Sequence, residues 1–289
     1  VFQATGSQPK ADAITRVDFD GDFDSTDNWE DLPNHKVPGH VYTSVIESET
    51  YFFISYGFFH PRDYARVCTP LLCHENDFEG ALFTVKKGGA TNPFGTLILV
   101  ETIAHTSVLS DWKPMTVPDP VTKLPRVALY IEPEGHGVHT RHTQTIDPKK
   151  LYLYRPAAVA DSPEETEFEP TGDDAVGGVS AGNFRYTLLS IEKELWARRM
   201  SVGKGGLFNK KVNYKGTRFV IRGIPLEFNA DNFFGVSKPQ APWGWAGASG
   251  LSAGELFLDP AFAVARHKFD KKDFSLNYVH HAFIGILKP

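Results

Sequence analysis

Two stretches decide the fold: Tyr51–His60 (YFFISYGFFH) and Phe78–Lys86 (FEGALFTVK). The first is apolar on both alternating faces, the pattern of a strand buried at the centre of a sheet. The second alternates, so that Asp77, Glu79, Ala81, Phe83 and Val85 share one face. Their apolar content is too high for edge positions, where charged residues are expected. They therefore read as neighbouring antiparallel central strands. Further strand signals follow at Gly95–Ala104, Arg126–Glu132, Leu151–Arg155, Phe184–Leu189, Thr217–Ile221 and Val279–Leu287, separated by Gly, Pro, Asn and Asp. Helical periodicity is confined to Leu188–Met200 and a short segment at Pro260–His267. The expectation is an all-β protein, an antiparallel β-sandwich with a few short helices and long loops.

The chain has 289 residues, 41% hydrophobic and 22% charged, with a net charge of −5. It reads as a single domain spanning 1–289, in which the acidic stretch Asp161–Asp174 (DSPEETEFEPTGDD) forms a solvated, mobile loop. The acidic balance without basic clustering argues against nucleic acid as a partner. No apolar run reaches the roughly 18 residues of a membrane helix, so no transmembrane segment is expected. The start at Val1, with neither an initiator Met nor an apolar leader, reads as a mature secreted chain. Only Cys68 and Cys73 are present. In an oxidising compartment they form a small disulfide; two buried thiols are the alternative.

Chemistry concentrates where the two strands open. Asp77 and Glu79 begin an otherwise apolar face, and a buried carboxylate needs a cation, a basic side chain or water beside it. His74, three residues earlier, can curl over the same spot. His74, Asp77 and Glu79 are thus candidate ligands of one divalent ion (Ca, Mg, Mn or Zn). An antiparallel pairing brings His60 and Asp63 to the same rim. Glu134-Gly135-His136-Gly137-Val138-His139 runs on to Arg141 and His142. Three histidines within seven residues make His136 and His139 candidate catalytic bases or further ligands.

Other motifs carry less. Asp18, Asp20, Asp22 and Asp24 alternate as in calcium loops but lack the bidentate Glu at loop position twelve. Gly-x-Ser-x-Gly surrounds Ser180 and Ser252 without the strand and helix context of a nucleophile elbow. Trp243 and Trp245 form a candidate sugar-stacking platform, with a cap on the core as the bland alternative.

Tyr56 through Pro61, Asp63 and then His74-x-x-Asp77-x-Glu79 resemble a pattern shared by necrosis- and ethylene-inducing peptide-like proteins and the vacuolar protein sorting protein sixty-two-like group. Tyr130 through Gly137, Asp20–Asp22 and Asn28–Glu30 are similar to stretches of the same families. The resemblance covers Asp18 to His142. It implies a β-sandwich with a divalent cation at one end and, in the necrosis-inducing branch, secretion and a membrane-directed role. Phe78 stands where that branch's heptad has Trp. Together these readings predict a secreted, metal-dependent hydrolase of an extracellular polymer, a glycan by preference. The alternative is a non-enzymatic, metal-dependent effector that binds a glycan or a lipid head group.

Overall fold

The computed structural model describes residues 1–65, 68, 73–105, 107–119, 123–141, 151–163, 182–201, 207, 219–226, 228, 242–244, 253–270 and 272–287. Its main sheet contains β1 (Phe2–Ala4), β2 (Gly39–Ser48), β3 (Tyr51–Asp63), β4 (His74–Lys86), β5 (Thr96–Ala104) and β6 (Ser107–Asp111). A separate hairpin follows, β7 (Thr116–Pro118) with β8 (Pro125–Val127). The sheet continues with β9 (Tyr130–Ile131), β10 (Val138–His139), β11 (Leu151–Pro156) and β12 (Gly182–Ser190). A second hairpin joins β13 (Phe219–Ile221) to β14 (Ile224–Leu226), and β15 (Tyr278–His280) pairs with β2.

The protein is all-β, but its strands form one mixed sheet rather than an antiparallel sandwich. The order is β10-β9-β1-β11-β12-β2-β3-β4-β5-β6. β1 runs parallel to β9, and β12 runs parallel to both β11 and β2. The two ends of this order approach each other, since Thr140 beyond β10 donates a 2.7 Å hydrogen bond to Asp111 at the end of β6. The sheet is therefore nearly closed into a barrel. Closure hides the edges that an open sheet would expose.

The hairpin of β3 and β4 is the longest pairing, from Tyr51 opposite Lys86 to Asp63 opposite His74. Gly57 is required there, because a Cβ at this position would lie 2.5 Å from the Phe78 ring. β3 is buried on both faces from Gly57 to Pro61, whereas Phe52, Ile54 and Tyr56 on one face of its first half are half-buried. Phe58 and Ala81 point inward with Val41, Val100, Ile131, Val138 and Phe184, which come from strands around the whole barrel. Phe53, Phe59, Phe78 and Leu82 face outward against Trp196, Trp243 and the short helices α1 (Ala253–Leu258) and α2 (Pro260–Val264).

Local expectation and tertiary structure part at two places. Leu188 and Leu189 belong to β12, paired in parallel with Val41 and Tyr42, and only Ile191–Arg198 coils, as a π turn followed by a 3-10 turn. Ladder hydrogen bonds to β2 outweigh the helical preference of that segment. The final strand stops at His280, and Ala282–Ile284 turns through Gly285 at φ 74°. Beyond Pro163 the acidic stretch lies outside the described residues, whereas Asp161 accepts hydrogen bonds from Arg185. No helix among the described residues is long and apolar enough to cross a membrane.

Cys68 and Cys73 are bridged, as expected for the pair. Titration of denatured, unreduced protein with a thiol reagent should find no reactive thiol; two per chain would contradict the bridge. Buried His281 donates from Nε2 to the Leu258 carbonyl, 2.8 Å away, and burial pulls its pKa down to about 4. Unfolded, it binds its proton at the ordinary value near 6.5, so stability present above pH 6.5 is lost as the pH falls toward 4. The melting temperature should fall less steeply between pH 7 and 4.5 in His281→Gln than in the wild type. Equal slopes would contradict this.

Candidate functional site

One end of the barrel carries nearly all the chemistry that the sequence singles out. The register sets His60 opposite Asp77 and Asp63 opposite His74. Ligand atoms of Asp63, His74 and Asp77 lie within 4.8 Å of one another. The His74 Nδ1 meets the Glu75 carbonyl at 2.9 Å, and its Nε2 faces Asp63 at 3.5 Å. A backbone carbonyl on Nδ1 fixes the proton there and leaves the Nε2 lone pair for a ligand. Glu79 lies two residues further in on the same strand face. One of its oxygens accepts the His105 backbone N–H at 2.8 Å, and the other, Oε2, is buried without a hydrogen-bond partner among the described residues. Exposure falls along this line: 30% for the His74 side chain, 17% for Asp63 and 4% for Glu79.

Behind the carboxylates stands a fixed cation. His136 is fully buried; its Nδ1 donates to Asp77 Oδ2 at 2.9 Å and its Nε2 to Asp12 Oδ1 at 3.1 Å. Burial opposes a charge on His136, but the hydrogen bonds and charges of Asp12 and Asp77 outweigh it and raise the pKa to about 9. Asp12 also accepts from the Gly6 and Glu134 backbone N–H groups and from the Tyr64 hydroxyl. The His60 ring stacks flat on His136 at 3.9 Å, bonded to Gln3 at 2.8 Å. Burial and the neighbouring His136 charge keep His60 neutral. The loop that delivers His136 is bent at two positive angles, Glu134 at φ 70° and His136 at φ 52°. Gly137 completes it, because a Cβ there would lie 2.4 Å from Glu132 Oε1.

The electrostatics leave the site short of positive charge. Burial works against ionised Asp77, but His136 more than offsets it and holds the carboxyl below its usual range. Asp63 is raised to about 7 by burial and by the Asp77 charge, and Glu79 is raised well above the carboxylate range for the same two reasons. A cation among Asp63, His74 and Asp77 would relieve the raised Asp63 carboxyl, and the raised Glu79 carboxyl stands two residues further in on the same strand face. The donors therefore fit a divalent ion.

At the rim, His105 Nε2 meets Glu132 Oε1 at 2.6 Å, and His139 Nε2 lies 3.5 Å from Glu132 Oε2. Sequence reasoning passed over Gln3, Asp12 and His105, which are isolated in the chain, and Tyr64 and Glu132, which adjoin Asp63 and Glu134 but carry no pattern of their own. Trp243 sits away from the site, enclosed in the core against Trp196, with no face left for a sugar. Trp245, His142, Ser180 and Ser252 lie outside the described residues. Asp18, Asp20 and Asp22 converge, yet Asp18 and Asp22 spend one oxygen each on the Phe23 and Asp24 N–H groups of their own turn.

No family model and no curated protein matches the chain. Among solved structures it is similar to one described as a toxin fold for microbial attack and plant defense, at 16% identity and TM-score 0.25, covering 37% of this chain and 48% of that one. A complex of NLPPya with mannosamine is similar at 17% identity and TM-score 0.24, over 35% and 43% of the two chains. An NLPPya triple mutant matches at 15% identity and TM-score 0.27, over 56% and 55%. The chain thus spans about half the length of the structures it matches. The chemistry of the site rests on its own side chains.

Removing Asp12 strips His136 of one of its two carboxylates inside the barrel. Asp12→Ala should cost roughly 3–5 kcal/mol in urea denaturation, the usual loss when a buried charge is left partly uncompensated. A loss below about 1 kcal/mol would contradict the role given to this pair.

Proposed function

We propose that the protein is a divalent-metal-dependent extracellular effector that binds a glycan or lipid head group through an ion held by Asp63, His74, Asp77 and Glu79. The observation that carries this reading is the clustering of Asp63, His74 and Asp77 ligand atoms, with Glu79 two residues beyond Asp77 and its buried Oε2 without a hydrogen bond among the described residues. Three carboxylates and one imidazole form an oxygen-dominated set that suits Ca, Mg or Mn better than Zn. When bound, the ion supplies Lewis acidity and open positions for hydroxyl or phosphate oxygens. Asp63 and His74 sit on the solvent side and frame the approach. Asp77 and Glu79 hold the charge deep in the barrel, and His136 keeps Asp77 oriented. The His105–Glu132 pair borders the opening and offers an imidazolium edge, its pKa raised by the Glu132 hydrogen bond.

The binding reading is preferred to hydrolysis because of the histidines. A general base needs a nitrogen within reach of the reacting proton. Both ring nitrogens of His136 are committed to carboxylates, which suits a positioning role, and His139 leans on Glu132. The motif resemblance and the Cys68–Cys73 bridge support secretion.

Calorimetric titration of chelator-stripped protein with Mg, Ca, Mn and Zn should give one site per chain. Asp77→Asn should weaken it at least about tenfold by removing one ligand charge. Chelation should lower the melting temperature and abolish binding to arrayed glycans or glycolipid vesicles. Turnover of a polysaccharide by the loaded protein would restore the hydrolase reading. Unchanged binding and melting temperature in both the chelated protein and Asp77→Asn would sink the metal site itself.

A further inference from the structure

The barrel has a second end, and it is not filled. A cavity of about 640 Å³ opens there, within the range of roughly 300–1,000 Å³ typical of small-molecule sites. Its walls include Tyr56, Phe83, Tyr154 and Tyr186 from the interior faces of β3, β4, β11 and β12. Tyr56 and Phe83 meet edge to face at 5.2 Å. Tyr56 is four residues from His60 on β3, about 13 Å along the strand. Phe58, at the floor of the cavity, pairs with Glu79, but none of Asp63, His74, Asp77, Glu79 or His136 lines the cavity. The cavity is therefore separate from the carboxylate–histidine site.

The charged side chains around this cavity are few. The separate hairpin of β7 and β8 lies over the mouth and contributes Val117, Asp119, Arg126 and Val127. Arg126 is half-exposed and pairs with Asp119 at 2.7 Å, and Arg155 adds a second guanidinium to the lining. The described lining thus includes two guanidinium groups, one carboxylate and the Val1 amino group. Burial raises the hydroxyl pKa of both Tyr56 and Tyr186, so both stay protonated and can donate. Aromatic walls accept a flat apolar body, and guanidinium and phenol donors at one rim fix an acidic group.

We propose that this end of the barrel is a second binding site, one that takes a small amphiphilic anion with a flat ring body and a single acidic group near Arg126. The site works without the metal. Its occupant enters under the β7–β8 hairpin and stacks among the tyrosines, and its acid meets the guanidinium pair.

The fluorescent probe 8-anilinonaphthalene-1-sulfonate, an aromatic sulfonate, tests this directly on the natively folded chain. Titration in the presence of a chelator should show saturable enhancement at one site per chain, equal to that in the metal-loaded protein. Arg126→Gln, at a half-exposed position, should weaken binding about tenfold, as expected for loss of a charge-assisted contact. Val127→Trp and Val117→Trp are designed to fill the cavity, and either one that keeps the wild-type melting temperature should abolish saturable binding. Non-saturable fluorescence, or binding unaltered in Arg126→Gln, would overturn the proposal. So would wild-type affinity in a folded, filled variant. Binding that vanishes on chelation alone would move the probe to the metal site and overturn it equally.

Discussion

A carboxylate inside a barrel must be compensated, and in this protein the compensation of Asp77 organises everything around it. Taking a carboxylate out of water costs several kcal/mol even after relaxation. One imidazolium in contact returns about 4 kcal/mol at an effective dielectric of about 20. His136 is itself buried, so it needs Asp12 on its far side to remain charged. Asp12 in turn collects the Gly6 and Glu134 N–H groups and the Tyr64 hydroxyl. The chain's first strand, the loop before β10 and the hairpin of β3 and β4 are tied together by this one relay. Barrel closure and site assembly are the same event.

That dependence explains what was legible in the sequence. The hairpin announced itself through local alternation, and with it came Asp77 and Glu79 on one inner face and His60 and Asp63 at the same end. The disulfide followed from two cysteines five residues apart. The remainder of the site is non-local: His136 meets Asp77 across 59 residues and Asp12 across 124. Neither Asp12 nor Gln3 belongs to a patterned segment, so no periodicity marks them. The same blindness applies to the sheet. Leu188 and Leu189 carry a helical pattern, but their partners Val41 and Tyr42 lie far away, and the parallel ladder decides. β2 itself escaped because its burial pattern is irregular rather than alternating. Trp243 reads either as a sugar platform or as a cap on the core, and its place in the outer core decides for the cap.

The two ends of the barrel divide the interior by chemistry. One holds carboxylates and histidines, the other phenols and guanidinium groups, and Phe58, paired with Glu79, forms the boundary between them.

The central claim is that the carboxylate-rich end of the barrel holds one hard divalent ion. Crystals soaked in manganese and measured at the manganese absorption edge test it most directly. The account predicts one anomalous peak per chain, in contact with Asp63, His74, Asp77 and Glu79. A map with no peak there, or with its principal peak among Asp18, Asp20 and Asp22, would contradict it.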